Sequence, residues 1–64
     1  MAKQRIMPGV YDDGQGGLHI VVSELLRGHG YEDNATNRAT FYKATRELLR
    51  ERYPTTKIIE DDGP

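Results

Sequence analysis

The sequence predicts a small two-layer α+β domain of ββααβ order, with two helices packed on one face of a three-stranded sheet. Three features predict it. Asn37–Tyr53 has helical hydrophobic periodicity, Leu18–Val22 is a β-branched run entered through a glycine-rich turn, and Thr55–Glu60 brings Ile58 and Ile59 in after a proline stop.

From the start of the chain, Met1–Gln4 is polar and expected to fray. Arg5–Asp12 carries Ile6, Val10 and Tyr11 around Pro8-Gly9. Pro8 has no ladder donor, so any strand here is an edge strand or begins after Gly9. Asp12-Asp-Gly-Gln-Gly-Gly17 reads as a turn, because Asp bonds to nearby backbone amides and Gly accepts positive φ. Val10–Asp12 is then expected to pair back on Leu18–Val22 as a hairpin. Ser23 is the expected cap of a short helix, Glu24–Arg27, with Glu24 in the first turn where the helix dipole favours an acid. Gly28 or Gly30 supplies its left-handed end.

The long helix follows. At about 100° per residue, Phe41, Tyr42, Thr45, Leu48, Leu49 and Tyr53 share an arc roughly 140° wide. Lys43, Arg46, Glu47, Arg50 and Glu51 are read as the opposite side. Asp33, Asn34 and Thr36 are candidate caps, and Pro54 is a firm stop. Arg46, Arg50 and Arg52 suit the negative end of the helix dipole. Arg52 falls within the apolar arc, so its stem packs while its head reaches solvent, or it pairs with an acid of the tail or of a partner. Thr55–Glu60 is the third strand, with Ile58 or Ile59 turned inward, and it fits beside either of the other two. Asp61–Pro64 is an acidic tail.

Sixty-four residues make one domain at most. A chain this short buries only about 60% of its unfolded surface. It has no Cys, 36% hydrophobic and 30% charged residues, so self-association is one way to complete a thin core. Two His without Cys do not make a structural zinc site, and no cofactor or metal is expected. A net charge of −1 and pI near 6.0 lack the basic footprint of a nucleic-acid-binding domain. No apolar run approaches the ~20 residues that span a bilayer, and none follows Lys3 and Arg5 as a signal segment would. A cytoplasmic protein without membrane contact is expected.

The candidate chemistry is sparse. The acids of Asp12–Gly17 are adjacent rather than alternate, unlike a calcium loop, and its glycines lead into a strand rather than a helix, unlike a phosphate cradle. No Ser/His/Asp, paired-carboxylate or metal-ligand spacing is present, so catalysis is not expected. Only His19 or His29 in a cleft beside Asp12 or Asp13 would change that. Asn34-Ala-Thr36 matches a glycosylation sequon but is better used as a helix start. The stripe Lys43, Arg46, Arg50 is flanked by Glu47 and Glu51, and reads as a solvated face more than a phosphate surface.

The expected function is therefore a non-enzymatic protein-binding or accessory module, capable of self-association. Tyr42, Arg46, Arg50, Arg52 and Tyr53 are its candidate partner-binding residues. The alternative is a nucleic-acid-binding regulator. The order of Leu18–Val22, Ser23–Arg27 and Asn37–Tyr53 loosely resembles the ribbon-helix-helix fold, which implies a paired-subunit DNA reader. The ribbon would then present His19 and Val21, or Leu18, Ile20 and Val22, where such a reader carries Arg, Lys, Asn or Gln.

Overall fold

The run Leu18-His-Ile-Val enters the centre of the sheet because its alternate residues are apolar enough to be buried from one side. Leu18 and Ile20 are buried in the core, and His19 between them is half-buried on the other face. The computed structural model describes residues 4–61, and orders them as β1 (Gln4–Met7), β2 (Val10–Asp12), β3 (Gly17–Val21), α1 (Val22–His29), α2 (Ala35–Arg52) and β4 (Lys57–Asp61). The sheet order is β1-β2-β3-β4. It is an α+β domain with two helices against a sheet, as expected, but the sheet has four strands rather than three.

The extra strand is β1. Pro8 and Gly9 form the turn that returns it onto β2, so the proline stands outside the ladder and the strand takes the edge, where a missing donor is tolerated. β2 pairs antiparallel with β3, Tyr11 opposite His19, across the predicted Asp12–Gly17 turn. Asp12 Oδ1 accepts from the Gly14 amide, and Asp13 Oδ1 accepts from the amides of Gln15 and Gly17. β4 lies parallel to β3, with Leu18 beside Ile58 and His19 beside Ile59. A parallel neighbour needs a long crossover, which α1 and α2 provide. Ile58 packs against the core, while Ile59 meets Gly17 on the opposite face. Gln4 and Asp61, assigned from sequence to the polar ends, belong to β1 and β4; the rest of the expected frayed N-terminus and acidic tail, residues 1–3 and 62–64, lies outside the described residues.

The short helix corrects a second expectation. β3 runs into α1 without a loop, so the cap position falls on Val21, and Ser23 makes no capping bond. Val22 is needed in the core with Leu25 and Leu26, and that burial sets where the helix begins. Its end follows the predicted chemistry. Gly30 is left-handed at φ 74°, and the amides of Gly30 and Tyr31 reach back to the carbonyls of Arg27 and Leu26.

α2 starts at Asn34, whose Oδ1 accepts from the Asn37 amide at 2.8 Å. Asn37 in turn donates to the Glu32 carbonyl, and Arg38 pairs with Asp33 at 2.7 Å. The helix stops before Pro54. Its buried face is narrower than the predicted arc and centres on Thr45 and Leu49, with Phe41 and Tyr42 half-buried beside them. Val10, Leu18, Ile20, Val22, Leu25, Leu26 and Leu49 make the core. Phe41 is also covered by the rings of His29, the last residue of α1, and Tyr31, in the connection between the helices. Among the described residues, no helix is long and apolar enough to cross a membrane.

Candidate functional site

Leu48 and Tyr53 lie at the two margins of the α2 arc, and the core reaches neither. Leu48 stays 40% exposed and Tyr53 38%. Both face a groove of about 120 Å³ that Met7, Leu49 and Arg52 also line, together with Ile6 from the edge strand. Ile6 is itself 40% exposed. Its position follows from a register irregularity between Arg5 and Met7, the kind of bulge that re-aims a side chain and bends a strand. Of the large hydrophobic side chains exposed among the described residues, only Tyr31 lies outside this groove.

Arg52 is exposed at the groove and makes no ion pair among the described residues. A second hollow, of about 220 Å³, adjoins the same hairpin and is lined by Arg5, Pro8 and Gly9 with Glu24, Arg27 and Gly28 of α1. Glu24 is held by the Tyr11 hydroxyl, which donates to its Oε1. That bond, then burial, raises the Tyr11 pKa above the ordinary tyrosine value. Arg5 and Arg27 are exposed and make no ion pair among the described residues.

The residues picked from sequence are thus divided. Arg52 and Tyr53 meet in the groove. Tyr42 instead packs beside the core. Arg46 and Arg50 share a shallow depression with Glu47 and Glu51 on the outer side of α2, a mixed-charge surface. Ile6, Met7 and Leu48 were missed as site residues. Leu48 had a signal in its place at the edge of the arc; Ile6 and Met7 had only the edge-strand reading of Pro8.

His19 does come beside Asp13. Its Nε2 lies 3.0 Å from Asp13 Oδ2, and its Nδ1 lies 3.4 Å from Asp61 Oδ2. Asp13 is held below the usual carboxylate range, first by the Gln15 amide, then by His19, with Gly17 adding to this and burial opposing it. Both imidazole nitrogens therefore face carboxylates. Among the described residues, no group of three acidic or histidine side chains is arranged to hold a metal ion. The chain matches no protein-family profile, no curated protein and no solved structure.

Proposed function

We propose that the chain is a non-enzymatic protein-binding module that takes an extended, acidic and apolar segment of another protein along β1. The convergence of Ile6, Leu48 and Tyr53 in one groove beside an edge strand carries this reading. An edge strand offers backbone groups to an added strand, and a neighbouring apolar pocket selects one of its side chains. Arg52 at the groove, with Arg5 and Arg27 at the adjoining hollow, supplies cations that no acid of the described chain pairs with. Asp13, Asp61 and Asp33 are engaged elsewhere, with His19 or Arg38.

Charge also favours a different chain over a second copy. Pairing of two β1 strands would gather Arg5, Arg27 and Arg52 of both copies around one edge, where like charges repel. β3 is paired on both sides, by β2 and β4, so it offers no free edge for a DNA-reading ribbon. The lack of cysteine is consistent with a cytoplasmic setting.

The test uses two synthetic octapeptides, one alternating Glu and Val, the other Lys and Val, titrated into the isotopically labelled chain and followed by amide NMR. Shifts at Gln4–Met7, Arg52 and Tyr53 with the acidic peptide only, at micromolar to millimolar affinity, are expected for an interface this small. An equal response to the basic peptide, or shifts confined to other elements, would refute the proposal. So would dilution-dependent shifts at β1 without peptide, which would make the partner a second copy.

A further inference from the structure

The His19 contacts have a protonation requirement that follows from geometry. Asp13 Oδ1 accepts two backbone amides, so that carboxylate is a pure acceptor, and the 3.0 Å contact at its Oδ2 must be a hydrogen bond donated by His19 Nε2–H. With that proton on Nε2, a neutral ring has a bare lone pair at Nδ1. Nδ1 is buried and makes no hydrogen bond, although Asp61 Oδ2 is within ion-pair distance at 3.4 Å. The neutral ring therefore sets a lone pair against a carboxylate oxygen. One more proton, on Nδ1, turns the same contact into an attraction between imidazolium and carboxylate.

Among the described residues, Asp13 and Asp61 are the charged groups within ion-pair distance of the ring; Arg5 lies one strand further out, opposite Tyr11. On β2, Tyr11 stands opposite His19 and its hydroxyl is committed to Glu24. On β4 the register neighbour is Ile59; Lys57 and Asp61 lie on either side of it on the same face, beside Gly17 and Val21, and of the two it is Asp61 that comes within ion-pair distance of the ring. Gly17 and Val21, on the same face of β3, carry no charge.

We propose that His19 is a proton-dependent latch that ties the C-terminal end of β4 to the β2–β3 turn. A proton taken from solvent onto Nδ1 closes it, with Nε2–H retained throughout. Loss of that proton to solvent opens it and loosens Asp61 from the sheet. β4 is the second edge of the sheet, so the latch sets how firmly that edge is closed. It is independent of binding at β1.

The test follows amide exchange of Ile59, Glu60 and Asp61 in the full chain between about pH 5 and 8, the range in which histidine changes charge. Each rate is divided by the intrinsic rate at that pH. Protection is expected to fall as pH rises, by up to about fivefold, the scale of a part-exposed ion pair. His19→Gln should abolish the dependence. Asp61→Asn should abolish it too, because its amide donates to the unprotonated Nδ1. Imidazole nitrogen shifts need no variant: they should show the Nε2–H tautomer in the neutral ring and both nitrogens protonated in acid. A neutral ring with its proton on Nδ1, protection that does not vary with pH, or an Asp61→Asn chain that keeps the wild-type dependence would each overturn the latch.

Discussion

Gly9 lies against Leu25 so closely that a methyl group on Gly9 would sit 2.9 Å from the Leu25 backbone nitrogen. Gly9 also has φ +82°. Its lack of a side chain lets the β1–β2 turn touch α1, and its carbonyl accepts from the Val21 amide at 2.7 Å. Gly9→Ala should cost about 2–4 kcal/mol, combining left-handed strain with overpacking. Gly14 has φ +75° but nothing near an added methyl, so Gly14→Ala should cost only about 1–2 kcal/mol. Urea denaturation of both variants separates the terms, and equal losses would remove the packing contribution.

Leu48 and Leu49 are neighbours with opposite duties. Leu49 is 1% exposed in the core, and Leu48 is 40% exposed at the groove. Leu49→Ala should destabilise by about 2–5 kcal/mol, as buried leucine truncations do. Leu48→Ala should stay below about 1 kcal/mol. For the Glu–Val peptide the outcome reverses: Leu48→Ala should weaken binding while leaving the fold intact, as measured by the same amide titration.

Asn34 caps a helix and Ser23 does not. Asn34→Ala should cost about 0.5–2 kcal/mol by losing the bond to the Asn37 amide. Ser23→Ala should fall within about 0.5 kcal/mol, since no capping bond is lost. Thermal denaturation of the pair provides the measurement, and a larger loss at Ser23 would contradict the observed helix start.

Asp13 and Tyr11 set opposite ends of the stability–pH profile. The folded pKa of Asp13 is depressed, so its contribution is present above the unfolded aspartate value of about 3.9 and is lost as pH falls through the folded value. Asp13→Asn should therefore flatten the acid limb of the profile. The folded pKa of Tyr11 is raised, so its contribution is present below the unfolded tyrosine value of about 10 and is lost as pH rises through the folded value. Tyr11→Phe should flatten the alkaline limb, and ultraviolet titration should show a late-ionising tyrosine in the wild type that this variant lacks.

The sequence by itself determined what is local. The 3.6-residue period of Phe41, Thr45 and Leu49, the Pro54 stop, the Asp12–Gly17 turn and the strand at Leu18 depend on contacts within a few residues, whatever the rest of the chain does. It also established the α+β class, through the order of those elements. Tertiary structure decided the remainder. β4 had two permitted neighbours and either direction beside them; with Ile58 packed on the core, it lies beside β3 and parallel to it. Ser23 looked like a cap because its type is right, yet burial of Val22 moved the helix start past it. His19 met Asp61 across 42 positions, and Ile6 met Leu48 and Tyr53 across 42 and 47. No local signal specifies such a meeting, because the pairing of distant segments is set by how the whole apolar surface can be buried at once.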